Sequence, residues 1–200
     1  MVNYAGAEIV WGDPENTITL LELMKNLMGI SDSARDDELS MYLDMAGRAA
    51  ESYIDNKLVS QEVTEKYAFT MSPIALRYYP ADTLTDVTVD GGDETDDWAL
   101  YTSDGVTWSA KSAAFRNCEF KQMSITYTAG LNPLPSEVGY ALSKIAMAYE
   151  SQTGSGNVKK EVINGVGSIE YVTGADSSSS IGFISPSALG VLERYRRHHV

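Results

Sequence analysis

An α+β fold is what this sequence predicts: a small bundle of three main helices, an antiparallel β-sheet inserted before the third, then a β-hairpin and a C-terminal helix or tail. Three observations carry the expectation. Apolar residues recur with a helical period over 19–28, 36–56 and 136–152. The period shortens toward two between 63 and 130. Asn164–Gly165 then separates two β-prone runs, a strong local hairpin signal because both residues tolerate positive φ.

Residues 1–17 read as an N-terminal extension in which Gly6, Gly12 and Pro14 interrupt any regular element. Tyr4 and Trp11 are aromatic enough to dock, so a tail packed on its own domain or on a neighbouring copy is expected. Thr19 opens the first helix. With Glu22 three residues later it makes a capping box, and Gly29 suits a left-handed stop. Leu20, Leu23, Met24, Leu27 and Met28 make this helix largely apolar, so it should be well covered. A turn through Ser31–Ser33 leads to the second helix, and the two form an αα-hairpin.

That second helix, Asp36–Asn56, is the element the rest is organised around. Leu39, Leu43, Ala46, Ala50 and Tyr53 lie at steps of four, three, four and three, which is one stripe of a helix. Ser33 is placed to cap it, and Asp36, Asp37 and Glu38 put negative charge in the first turn, where the helix dipole favours it. Gly47 costs about 1 kcal/mol of helix propensity. With Ala46, Ala49 and Ala50 it narrows the middle, so another helix is expected to approach closely there. The polar flank carries Asp44, Arg48, Glu51 and Asp55.

Val63–Met71 reads as a strand ending near Pro73, and Leu84, Val87 and Val89 alternate before a turn at Gly91–Gly92. Trp98–Thr102 and Val106–Ala110 flank a hairpin loop at Ser103, Asp104 and Gly105. In Met123–Thr128, Met123, Ile125 and Tyr127 share one face. Ala129–Gly130 ends the sheet, and Pro133 and Pro135 precede the third helix, Ser136–Gln152, with Val138, Leu142, Ile145 and Tyr149 in its stripe. Gly154–Asn157 and Ser177–Ser180 bracket the Asn-Gly hairpin as flexible joints. Ser185 and Pro186 start a last helix whose apolar side is Leu189, Val191, Leu192 and Tyr195. The organisation expected is an extension (1–17), a helical core (18–62 with 131–153), a β subdomain (63–130), a hairpin and linker (154–184) and a C-terminal piece (185–200).

A net charge of −13 argues against nonspecific gripping of nucleic acid or of an anionic membrane. The single cysteine, Cys118, excludes an internal disulfide framework and reads as a small buried or half-buried thiol. The N-terminus lacks the basic and apolar regions of a signal peptide, and no run approaches the ~18 apolar residues that span a bilayer. Folding in a cytoplasm is therefore expected. Between Tyr78 and Ala110 there are acids at Asp82, Asp86, Asp90, Asp93, Glu94, Asp96, Asp97 and Asp104, and no Lys or Arg. The cluster lacks the spacing of an EF-hand, so it reads as a solvated, charge-bearing loop rather than a calcium site. No nucleophile elbow, zinc-binding HExxH, phosphate loop or dinucleotide fingerprint occurs, and both histidines, His198 and His199, sit at the extreme end. Neither an enzyme nor a cofactor is expected.

The C-terminal run Arg194, Tyr195, Arg196, Arg197 is the one concentrated positive patch. It can simply complement a helix C-terminus, or it can act as a cationic plug for an acidic pocket on a partner.

The order of these elements, and particular words inside them, resembles the head-to-tail adaptor (connector) proteins of tailed bacteriophages. The words are Ile18-Thr19-Leu20-Leu21-Glu22, Ala49-Ala50-Glu51-Ser52-Tyr53-Ile54, Thr126–Gly130 followed by Pro135, Tyr149-Glu150, and Ser185–Arg197. The likeness spans Ile18 to Arg197; the acidic insertion and the N-terminal extension depart from the pattern. It implies a non-enzymatic virion protein of the neck, assembled in the host bacterial cytoplasm as a ring, commonly a dodecamer. Its partners would be the portal protein, neighbouring copies and stopper or tail proteins, with double-stranded DNA passing through unbound and no membrane involved.

By the same resemblance, Leu192, Arg194, Tyr195, Arg196 and Arg197 would dock on the portal. Leu39, Leu43, Gly47, Tyr53 and Tyr149 would pack between subunits. On charge alone, and not by the resemblance, Asp90, Asp93, Glu94, Asp96 and Asp97 would form an acidic channel or loop surface that repels DNA phosphates. The rival readings are a head-closure or tail-completion protein of the same particle, which would be mostly β, and a metal-dependent hydrolase using Asp93–Asp97.

Overall fold

A computed structural model describes residues 2–10, 17–68, 73–102, 108–112, 122–155, 160–163, 167–170 and 186–197. In chain order the elements are β1 (Glu8–Val10), β2 (Thr17–Thr19), α1 (Leu20–Met28), α2 (Asp36–Ile54), β3 (Gln61–Tyr67), β4 (Ile74–Ala75), β5 (Ala81–Val89) and β6 (Gly92–Asp93). There follow β7 (Trp98–Thr102), β8 (Trp108–Ser112), β9 (Met123–Ala129), β10 (Leu134–Pro135), α3 (Ser136–Ser155), β11 (Lys160–Ile163), β12 (Gly167–Glu170) and α4 (Pro186–Leu192). Short 3-10 turns occupy Thr95–Asp97 and Glu193–Tyr195. The fold is α+β, as expected. The elements group into two units, Asn3–Ile54 with Pro133–Arg196, and Asp55–Asn132 with the residues from Arg197.

The first unit is helical with a small sheet. α1 starts as the sequence dictates: Thr19 Oγ1 accepts from the Glu22 amide at 3.2 Å while the Glu22 carboxylate accepts from the Thr19 amide at 2.8 Å. Gly29 stops it at φ 70. α2 buries Leu39, Leu43, Ala46 and Ala50 completely. Its stripe then closes on Ile54 rather than Tyr53, because a repeat averaging about 3.5 residues lags the helical turn by about 20° per heptad and Tyr53 falls off the buried face. α2 also begins without the Ser33 side-chain cap: the Ser33 backbone carbonyl accepts from Asp36, and the Asp32 carboxylate accepts from Ala34.

Two expectations for this unit need correction. The N-terminal extension holds regular structure, for β1 pairs antiparallel with β2 and parallel with β10. Such short strands carry too few residues for a period to show. Gly47 makes room for an aromatic ring, not for a helix. A Cβ at Gly47 would lie 2.3 Å from the Tyr4 ring, and Tyr4 is 2% exposed. α3 supplies the other wall of the core through Val138, Ala141, Leu142, Ile145 and Ala146. β11 and β12 pair as the expected hairpin, Lys160 opposite Glu170.

The second unit is β. β9 runs through the middle of a four-stranded sheet in the order β3-β9-β5-β6, and Met123, Ile125, Tyr127 and Ala129 are its buried face. The strand expected at Val63–Met71 runs Gln61–Tyr67, with Val63 opposite Tyr127. A second sheet, β4-β8-β7, pairs Trp98–Thr102 with Trp108–Ser112, the second strand lying two residues beyond the expected Val106–Ala110. The turn at Asp90 and Gly91 has φ 49 and 87. Asn56, expected as the last residue of the helix, is buried instead: its side-chain oxygen accepts from the Tyr79 amide and its nitrogen donates to the Tyr79 carbonyl, at 3.1 and 2.9 Å. Trp11, Ser103–Gly105, Cys118, Asn164–Gly165, Ser177–Ser180, Ser185, His198 and His199 lie outside the described residues.

Candidate functional site

The C-terminal segment is the candidate because it concentrates positive charge on an acidic chain. α4 packs on α3, and its anchors are Ala188 and Leu192, 4% and 0% exposed. Burying a leucine is worth about 1.5–3 kcal/mol, so Leu192 fixes the segment to its own subunit. The polar residues that follow find carboxylates of the same chain. Arg194 Nη1 lies 3.1 Å from a Glu137 oxygen, and the Tyr195 hydroxyl donates to Glu137 at 3.1 Å. Burial first, and then Glu137, holds the Tyr195 phenol above its ordinary range. The Tyr53 hydroxyl donates to Glu193 at 2.7 Å; Arg196 bonds Glu193 at 3.0 Å and stands 5.6 Å from the Tyr53 ring centre. Arg197 lies 3.8 Å from Asp55, which also holds Arg77 at 2.8 Å.

The Arg194 and Arg196 pairs are exposed, with Arg194 and Glu137 at 67% and 42%, and Arg197 is half-buried. Exposed pairs contribute about 0–1 kcal/mol each. Arginines held this weakly can exchange one carboxylate for another at little cost. Of the five residues expected at a portal, Leu192 faces the subunit's own core and the other four lie within reach of its own acids.

The residues expected between subunits are distributed differently. Leu39, Leu43 and Gly47 are buried in the first unit, and the periodicity that singled them out coincides with the subunit's own core. Tyr53 and Tyr149 are half-buried. What α2 does expose is Met41 and Met45, and α3 exposes Tyr140. The sequence reading passed over all three. The signal was present as apolar residues at i and i+4 outside the main stripe.

The acidic residues lie in turns of the second unit. Asp90 clamps Gln122, its carboxylate accepting from the Gln122 amide and its own amide donating to the Gln122 carbonyl, each at 2.9 Å. Asp93 accepts from the amide and hydroxyl of Thr95 at 3.1 and 2.8 Å, and those bonds hold its carboxyl below the usual range. Glu94 is half-buried, and Asp96 and Asp97 are exposed in the 3-10 turn. Among the described residues no three acidic, histidine or cysteine side chains come together as metal ligands. Among the same residues no helix is long and apolar enough to cross a membrane.

Residues 18–82, spanning the helical hairpin and the first strands of the sheet, match the model of the phage gp6-like head-tail connector protein family. Solved structures share the fold along nearly the whole chain. A chain in the virion of the native gene transfer agent particle is 17% identical, with a TM-score of 0.63 over 96% of this chain and 95% of that one. Chains from the neck of the empty particle (C6 symmetry) and of the native particle (C12 symmetry) are each 16% identical. Their TM-scores are 0.61 and 0.60, covering 90% of this chain in both cases and 90% and 89% of theirs. No curated protein matches the chain. The family match covers residues 18–82, and the likeness to the solved chains is one of fold.

Proposed function

We propose that this chain is a neck adaptor that assembles as a ring between the portal of a capsid and the proteins of a tail, leaving a conduit for double-stranded DNA. The match of residues 18–82 to head-tail connectors carries the proposal, and the fold shared with neck chains of C6 and C12 particles supports the ring. The C-terminal segment is its docking end. Arg194, Arg196 and Arg197 transfer from Glu137, Glu193 and Asp55 to carboxylates of the portal, while Leu192 keeps α4 on its own subunit. Asp96 and Asp97, with Asp90, Asp93 and Glu94 beside them, face the conduit and keep phosphates from adhering.

The test is electron microscopy of the purified protein mixed with the portal ring of the same particle. Stacked rings are expected, and their loss is expected in an Arg194→Glu/Arg197→Glu variant that keeps its circular dichroism and Tm. A wild-type protein that never associates with the portal overturns the adaptor reading. Docking that survives the double reversal overturns only the role of the tail.

A further inference from the structure

Met41 is 51% exposed, Met45 43% and Tyr140 43%, in a unit whose other large side chains on these helices are mostly covered. Met41 and Met45 lie one turn apart on α2 and, with Asp44 and Arg48, border a shallow groove of about 420 Å³. On α3 the stripe is Glu137 and Tyr140, both exposed, and the half-buried Lys144, whose ammonium stands 5.3 Å from the Tyr140 ring centre; Glu137 also holds Arg194 and Tyr195 of its own chain at the edge of this face.

The two stripes are complementary in one direction only. Taken backward along α2, Arg48, Met45 and Met41 are spaced three and then four; taken forward along α3, Glu137, Tyr140 and Lys144 have the same spacing. Laid antiparallel, the stripes set Arg48 against Glu137 and Met45 against the Tyr140 ring. Lys144 then falls beside Met41, between the carboxylates of Asp37 and Asp44. A thioether against an aromatic ring and two opposite-charge pairs are each favourable. Laid parallel, the same stripes would oppose Asp37 to Glu137, like against like.

From this we infer that α2 of one copy packs antiparallel on α3 of the next through these stripes, so that the occupant of the α2 groove is a second copy of this chain. The contact joins two different faces, so it can pass from copy to copy, and such a heterologous contact makes a ring where its rotation closes. The inference rests on the ring-forming adaptor reading and names the contact that makes the ring. It also replaces Leu39 and Leu43, which are spent inside the subunit.

Two experiments test it. In sedimentation of the concentrated protein, Met41→Lys/Met45→Lys should weaken self-association roughly tenfold or more with Tm unchanged, because both side chains are exposed. In a Cys118→Ser background, chains carrying Met45→Cys and chains carrying Tyr140→Cys should form a mixed disulfide on oxidation, many-fold above either population alone. Oligomers that persist in the lysine variant, with no mixed disulfide, overturn this interface and leave the adaptor reading standing. A wild-type chain that stays a monomer both alone and with a portal ring overturns both.

Discussion

Glu65 sits on β3, where its carboxylate accepts the hydroxyls of Tyr67 and Tyr127 and, at 3.0 Å, the backbone amide of Arg77. Burial first, and then Glu65, holds both phenols well above the ordinary tyrosine range. A phenol raised in the folded state stabilises the fold fully below its unfolded value of about 10 and progressively less as pH climbs past that value. Stability should therefore be level below about pH 10 and fall above it, by at most about 1.4 kcal/mol per pH unit for each such tyrosine. Urea unfolding from about pH 9 to about pH 11 checks this, and Tyr127→Phe should flatten the slope by one proton. At Gly47 the prediction is a cycle. Gly47→Ala should lower Tm in the wild type, because its methyl collides with Tyr4. In a Tyr4→Ala background the same change should stabilise by up to about 1 kcal/mol through helix propensity.

The element that needs both of its parts is α4 with the turn after it. Leu192 gives it a fixed seat and the arginines give it a weak, exchangeable edge. Leu192→Ala should cost about 2–5 kcal/mol, whereas Arg194→Gln should cost under about 1 kcal/mol. Thermal unfolding separates the two, and limited proteolysis should cut the C-terminal segment faster in the first variant than in the second. Helix starts and stops at this scale were legible wherever the signal was local. Thr19 acts on Glu22 and Gly29 on Lys25 and Asn26, each within about one turn, and their roles could be assigned from spacing alone. The partners of the C-terminal arginines could not. Glu137 is 57 residues from Arg194, and nothing local distinguishes it from the other acids.

For the molecule as a whole, the charge of −13 sets how it meets DNA. A conduit protein should let duplex pass, so no gel retardation of duplex DNA is expected at about 0.15 M salt. Replacing Asp96 and Asp97 with lysine should produce retardation that fades as salt rises, if these turns line the path. Retardation by the wild-type protein would contradict the acidic-conduit reading.

Helix periods, the capping box, the alternation of Met123, Ile125 and Tyr127, and the sign of the charge are properties of neighbouring residues, so the sequence by itself determined them and with them the α+β class. Tertiary structure decided that Tyr4 fills the space beside Gly47, that β1 pairs with β10, and that Leu39 and Leu43 are interior while Met41 and Met45 are surface. The physical reason is the same in each case. A stripe of apolar residues fixes which face of a helix avoids water, but whether its cover comes from the same chain or from another depends on contacts between residues far apart in sequence.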